Sequence, residues 1–211
     1  MGMEHEIKLS LPTGQVGAAT QWLIQRAGSK GRTITLENSY YDTPSLTLAR
    51  AKSAVRVRRT PDGWLQTYKT VGASSGGLHS RHEWEMPIEG NALEIDALLA
   101  ACDDEPSKEA LRSARDDLIP LFSTNFSRTI WHVRIEGADV EAAIDQGEVV
   151  ADVKGETRRA PICEIELELK HGDAGALNAL SAELAQAVHG LRPDDVSKAQ
   201  RGYRLRESGS Q

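Results

Sequence analysis

Wherever this chain reads as extended, charged residues recur at spacing two. Glu4, Glu6 and Lys8 alternate with His5, Ile7 and Leu9, and Arg56 and Arg58 alternate with Val55 and Val57. Arg81, Glu83 and Glu85 stand opposite His82, Trp84, Met86 and Ile88, while Glu141 and Asp145 stand opposite Val140, Ala142 and Ile144. Glu164, Glu166, Glu168 and Lys170 oppose Ile165, Leu167 and Leu169, and Lys69 shares its parity with Thr67 and Leu65. A strand turns alternate side chains to opposite faces, so each segment carries one charged face and one apolar face. For a single strand this describes a solvated surface. Here, however, acids gather on some strands and arginines on others, and like charges in line repel without return. The pattern therefore predicts a closed β-barrel whose interior holds acids and bases in similar number, with the apolar faces outward under helices. Unpaired buried charges cost several kcal/mol each, so the interior must be wet, internally paired and completed by ions. Hard divalent cations suit the carboxylates, and a polyanion suits the guanidinium and ammonium groups. A short phosphate chain held with two metal ions satisfies both.

Composition narrows the partners. The 211 residues include 25 basic and 31 acidic ones, a formal charge of −6, which opposes general attraction to nucleic acid or anionic lipid. No apolar run approaches the roughly 20 residues that span a bilayer, and the N-terminus shows no basic segment followed by a hydrophobic one, so a cytoplasmic protein without membrane partners is expected. Cys102 and Cys163 belong to no CxxC pair, and of the scattered histidines only His79 and His82 are close, a spacing read as surface chemistry and not as a metal site. Asn125-Phe126-Ser127 fits a glycosylation sequon but is discounted without a secretion signal.

The elements follow from period and punctuation. After the first strand, an amphipathic helix is expected up to Gly28, with Val16, Ala19, Leu23 and Ala27 on one face. Strands are expected over 34–42, 54–59, 64–71, 81–88, 127–136, 139–145, 148–153 and 162–170. Pro61-Asp62-Gly63 makes a hairpin, 72–77 a flexible connection, and Gln146-Gly147 a turn. Helices are expected over 45–51, over 92–118 with an interruption near Pro106, over 173–189, and over 197–204. The chain reads as one domain over 1–205 followed by a flexible tail, 206–211.

The residues that carry this pattern resemble a known family. Glu4-His5-Glu6-Ile7-Lys8 is similar to the ExExK motif that opens CYTH domains, the triphosphate tunnel metalloenzymes. The resemblance extends through Tyr40-Tyr41-Asp42-Thr43-Pro44, Arg56 and Arg58, Lys69, the Arg81/Glu83/Glu85 strand, Arg128, Asp145, Glu164-Ile165-Glu166, Ser197-Lys198 and Arg201-Gly202-Tyr203. Gly76-Gly77-Leu78-His79, Pro120-Leu121-Phe122-Ser123-Thr124 and Asp145-Gln146-Gly147-Glu148-Val149 look most like the bacterial inorganic triphosphatase branch, which often carries a C-terminal helical CHAD domain.

The resemblance implies an α+β fold, an eight-stranded antiparallel tunnel with helices outside, that hydrolyses inorganic triphosphate or another short polyphosphate with Mg2+ or Mn2+, two ions in all. By position it gives Glu4, Glu6, Asp145, Glu164 and Glu166 as metal ligands. Lys8, Arg56, Arg58, Lys69, Arg81, Arg128 and Lys198 would hold phosphate oxygens, with Glu4, Glu6, Lys8 and Lys198 as the catalytic set. Glu83, Glu85 and Glu168 are further tunnel acids, ligands or structural ion-pair partners alike. Tyr40 and Tyr41 are read as packing, Trp131 as outer core, and His132 and Arg134 as a bulge or rim. Thiamine triphosphatase, class IV adenylyl cyclase and a non-catalytic polyphosphate-binding module remain alternatives. A lipocalin-like barrel is disfavoured by the charged faces.

Overall fold

The computed structural model describes residues 2–207. In chain order, β1 (Gly2–Ser10) leads into α1 (Val16–Ala27), β2 (Arg32–Asp42), α2 (Thr47–Arg50) and the hairpin β3 (Ser53–Thr60) and β4 (Gly63–Thr70). Then come β5 (Ala73–Ser75), β6 (Leu78–Ile88), α3 (Ile95–Ala101) and α4 (Glu105–Ala114). Three long strands follow, β7 (Ile119–Ile135), β8 (Ala138–Val153) and β9 (Glu156–His171), then α5 (Gly175–Ala187), β10 (Arg192–Pro193) and α6 (Lys198–Glu207). No described helix is long and apolar enough to cross a membrane.

Eight strands close into an antiparallel barrel in the order β1-β9-β8-β7-β2-β3-β4-β6, because β1 pairs with β6 as well as β9; the short β5 and β10 are added on β6 and β1. Register aligns the charged parities. Glu4 lies opposite Arg81, Lys8 opposite Glu166, Thr67 opposite Glu85, and Asp145 opposite both Arg128 and Glu164.

The alternate parity forms the outer core. Ile7, Leu9, Trp131, Val140, Ile165 and Leu167 pack beneath α1 and α5 through Leu23, Leu177, Leu180 and Leu184. Val55, Tyr68 and Trp84 pack beneath α2, α3 and α4 through Leu48, Leu98 and Leu111. A third cluster departs from the expected inversion. Leu36, Tyr40, Phe126, Val149 and Ile162 have the parity of Asn38, Arg128, Asp145 and Glu164, so this end of the inner face is apolar, and Ala199, Tyr203 and Leu205 of α6 cover it.

Other departures have local causes. Gln146-Gly147 is no turn: β8 runs straight through it. Gly147 is there because a Cβ would come within 2.1 Å of the Asn125 carbonyl oxygen on β7. Part of 72–77 is the strand β5, paired with β6. The helical region is interrupted near Pro106, as expected: α3 ends at Ala101 and α4 begins at Glu105, with Pro106 in its first turn, where its missing N–H costs nothing, behind an Asp104 side chain that accepts from the Ser107 amide (3.0 Å). β7 begins at Ile119, and β9 at Glu156, well before the expected starts. Finally, α6 extends to Glu207 and Arg206 donates to the Leu121 carbonyl (2.9 Å), so a boundary at 205/206 falls inside a helix; residues 208–211 of the expected tail lie outside the described residues.

Gly147→Ala is expected to destabilise by ~1–3 kcal/mol, the range for overpacking, which for a domain of this size lowers Tm by roughly 3–10 °C. Gly17→Ala, in open space on α1, is the control and should be neutral or stabilising. Calorimetric melting of both variants checks this.

Candidate functional site

The barrel encloses a cavity of about 870 Å³ to which all eight closing strands and α6 contribute. Glu4, Glu6, Lys8, Arg56, Arg58, Lys69, Arg81, Arg128, Glu166 and Lys198 line it, as do Glu83, Glu85 and Glu168. Asp145 and Glu164 are fully buried behind Lys198. The charges fall into three groups.

In the first, Asp145, Glu164 and Glu166 each offer an oxygen within 4.8 Å of the others. The Lys198 ammonium stands among them, donating to Asp145 Oδ2 (2.6 Å), Glu166 Oε1 (2.7 Å) and Glu164 Oε1. Arg128 grips Asp145 with two parallel hydrogen bonds of 2.7 Å and also reaches Glu166. Both cations lie against the Phe126 ring, Lys198 Nζ 4.7 Å from its centroid. Burial opposes the charge on Lys198, but the three carboxylates outweigh it and hold the ammonium above its usual range. Glu166 is likewise buried, yet Arg128 and Lys198 depress its pKa, whereas burial and the neighbouring Glu166 push Glu164 up. Glu164 Oε2 is buried without a hydrogen bond, although Arg201 Nη2 lies 2.8 Å away out of alignment. Hard oxygen donors gathered around a cation, with one oxygen still lacking a hydrogen bond, fit a divalent metal ion.

In the second group Arg81 joins Glu4 (2.7 Å) to Glu6, and Lys69 joins Glu4 (3.3 Å) to Glu83 (2.7 Å). Glu4 and Glu6 therefore lie outside the three-carboxylate group. Their titration diverges. Burial raises Glu6 from 4.5 to about 7, opposed by Arg81 and assisted by Glu166 and Glu4. Glu4 is also buried, but Lys69 and Arg81 lower it.

The third group is cationic. Arg56 donates to Thr67 Oγ1 (3.3 Å) and Tyr40 Oη (3.4 Å) and lies 3.6 Å from Glu85. Arg58 donates to the neutral Asn38 Oδ1 (2.7 Å), and no carboxylate pairs with it among the described residues. Burial, then Arg56 and Arg128, lower its pKa to about 10. This is a place short of negative charge.

Several expectations are refined. Lys8 is 1% exposed and donates to the Val196 carbonyl, with Asp194 at 4.0 Å and burial lowering its pKa. Glu168 pairs with Lys170 (2.7 Å), and Glu85 accepts from Thr67 (2.8 Å). Tyr40 stacks on Phe122 but also borders the cavity. His79 is not surface chemistry: it is buried on the cavity face and bonded to the Asp194 carbonyl (2.9 Å), while His82 stacks on Trp84 outside. No bulge occurs at His132 and Arg134, whose register with Glu141 and Asp139 is regular, so they are rim residues. Asn38, Thr67, Asp194 and Arg201 also take part, though the sequence assigns none of them a role. Asn38 and Thr67 had a signal in their parity with Tyr40 and Lys69.

The CYTH domain model matches residues 2–203 of this chain. The chain is 34% identical over 206 residues to the inorganic triphosphatase of Haemophilus influenzae, covering 97% of this chain and 55% of that protein, so it spans about half the relative's length. Among solved structures, the Hippeastrum protein HpAC1, assigned as an adenylyl cyclase and found to have a dominant triphosphatase activity, superposes with a TM-score of 0.64 at 21% identity over 95% of each chain. The Pyrococcus horikoshii protein PH1819 superposes with a TM-score of 0.58 at 16% identity, covering 94% of this chain and 98% of its own. These two likenesses speak for the fold alone.

The raised Glu6 pKa has a consequence for stability. The folded chain binds this proton more tightly than the unfolded chain does, a contribution complete below about pH 4.5 and lost as the pH rises through about 7. The stability difference between the parent and Glu6→Gln, both ligand-free, is expected to fall across that window. Melting curves at matched pH values check it; a constant difference would contradict it.

Proposed function

The chain belongs to the CYTH domain family, and from that premise we propose that it hydrolyses inorganic triphosphate to pyrophosphate and phosphate inside the barrel, with Mg2+ or Mn2+. The observation that carries this reading is that Arg56, Arg58 and Arg128 line one cavity, with Arg58 unpaired by any described carboxylate, and that Glu166 of the three-carboxylate group lines the same cavity. The 34% identity to the Haemophilus influenzae triphosphatase supports the same substrate.

Asp145, Glu164 and Glu166 would hold one ion, with Glu4 and Glu6 the candidates for a second. When bound, such ions supply Lewis acidity and lower the pKa of water. The chain's own residues do the rest. Arg56, Arg58 and Arg128 would hold phosphate oxygens in bidentate geometry, and Lys8, Lys69, Arg81 and Lys198 contribute point charges around the lumen. Water adds to a terminal phosphorus, the bond to the bridging oxygen breaks, and pyrophosphate leaves with the electron pair while the water's proton passes to solvent. Negative charge spreads over the transferring and leaving groups, so fixed cations in a confined lumen stabilise the transition state, and no protein nucleophile is required.

A second reading rests on a second cavity, of about 420 Å³, that shares Arg58 and Arg128 with the first and is lined by Ile34, Leu36, Leu65 and Ile130. It favours an organic triphosphate whose apolar part lies there. Phosphate release from triphosphate, ATP, thiamine triphosphate and long polyphosphate, each with Mg2+, Mn2+ or chelator, separates the two. Triphosphate with metal is expected to be fastest; equal or faster turnover of ATP, or cyclic AMP among the products, overturns the first reading. Arg58→Ala is expected to weaken triphosphate binding at least ~10-fold, the loss of one charge-assisted bidentate contact, with a smaller effect on Tm because the donor lost to Asn38 is offset by relief of the repulsion from Arg56 and Arg128. Glu166→Gln is expected to lower kcat by ~10²-fold or more, the scale of one preorganised electrostatic contribution, and to weaken calorimetric binding of Mn2+ alone.

A further inference from the structure

Asp42 is fully buried, ionisable and outside the cavity lining, and the reaction described above does not use it. Its Oδ1 accepts from the amides of Thr43 (2.7 Å) and Leu48 (2.8 Å), and its Oδ2 accepts from the amide of Ala49 (2.9 Å). Those three donors account for an Asp that stabilises the 43–49 turn. The fourth comes from far along the chain: the Tyr203 hydroxyl of α6 donates to Oδ2 at 2.8 Å. Burial and the carboxylate keep the phenol protonated, which fixes it as the donor.

We propose that Asp42 is a positioning residue that, through the Tyr203 hydroxyl, fixes α6 in the register that sets the Lys198 ammonium among Asp145, Glu164 and Glu166. Tyr203 and Lys198 are five residues apart on one helix, so a slip by a single residue moves Lys198 about 1.5 Å along the axis and turns it by about 100°. Packing at Gly202 and the contacts of Arg201 with Glu164 and Asp194 and of Arg206 with the Leu121 carbonyl also resist a whole-residue slip, and the Asp42–Tyr203 bond sets the finer position of Lys198. Gly202 lets the helix lie against Phe122, whose ring would be 2.0 Å from a Cβ there, and the Tyr203 ring meets Phe122 edge-on at 5.1 Å. Ring contacts of this kind are tolerant of small slides; a hydrogen bond to a buried carboxylate with three other fixed donors is not. At the far end Arg158 donates to the Leu205 (3.1 Å) and Arg206 (2.8 Å) carbonyls, tethering the helix terminus without constraining Lys198 directly.

The link to activity rests on the reading of Lys198 given above, so the test separates the two. Tyr203→Phe removes only the hydroxyl and keeps the ring against Phe122. It is made in the parent and in a Lys198→Ala background, with triphosphate hydrolysis, melting temperature and amide hydrogen exchange measured for each. In the parent background, kcat is expected to fall ~10-fold or more, as for an ångström-scale misplacement. In the Lys198→Ala background the same change should cost nothing further, and α6 amides should exchange ~10-fold faster while those of α1 and α5 do not change. An equal fractional loss of kcat in both backgrounds, or unchanged exchange in α6, overturns the proposal. Full activity of Lys198→Ala alone overturns the reading of Lys198 instead, and the exchange measurement then decides the latch by itself.

Discussion

Ionised side chains facing a closed lumen must find counter-charges, and the barrel is arranged around that demand. Arg128 bridges Asp145 and Glu166, Arg81 bridges Glu4 and Glu6, and Lys198 stands among three carboxylates. Removing one partner of such a buried pair costs ~3–5 kcal/mol because the other is left uncompensated, whereas the intact pair stabilises little beyond its own desolvation. The fold's net stability must therefore come from elsewhere. It comes from the outward parity, where two apolar clusters pack beneath α1 and α5 on one side and beneath α2, α3 and α4 on the other.

Compensation is uneven, and the imbalance is what makes the lumen a site. The acids around Lys198 are densely paired, while Arg58 leans on a neutral amide and is disfavoured by Arg56 and Arg128. A lumen with a carboxylate cluster at one place and an arginine without an acid partner at another offers room for a cation and an anion together. The length of β7, β8 and β9, 17, 16 and 16 residues, carries the barrel past its charged section to an apolar stretch of the inner face. That stretch gives α6 something to pack on, and α6 brings Lys198 and Arg201 to the carboxylates.

Much of this was legible because a period of two is a long-range signal: through the charged section of the barrel its phase names the inward residues. The closing strands and the outward apolar faces follow from it, whereas Lys198, on a helix, came from the family resemblance, and His79 and the apolar end of the inner face were not read from it. Legibility stopped where the cause is a contact between distant segments. Gly147 reads as a turn until the Asn125 carbonyl across the ladder is seen to exclude a side chain. Pro106 marks the break between α3 and α4 correctly, but its place as the second residue of a helix capped by Asp104 is not legible from sequence. Asp194, in a loop without periodicity, gives no hint that its carboxylate takes Arg201 or that its carbonyl takes His79. The grouping of acids was also out of reach, since parity places Glu4, Glu6, Asp145, Glu164 and Glu166 on one surface without saying that Arg81 and Lys198 divide them.

The central claim is that the lumen is short of an anion at Arg58, whose charge Arg56 and Arg128 disfavour, even before any metal binds. It is tested most directly by melting the chelator-treated protein while triphosphate is titrated in, against sulfate at equal ionic strength. A ligand that binds only the folded state at ~100 times its Kd adds ~2.7 kcal/mol, which for a domain of this size corresponds to a Tm rise of roughly 5–10 °C. The account predicts that rise for triphosphate and little for sulfate. No rise, or the same rise with both anions, would contradict it.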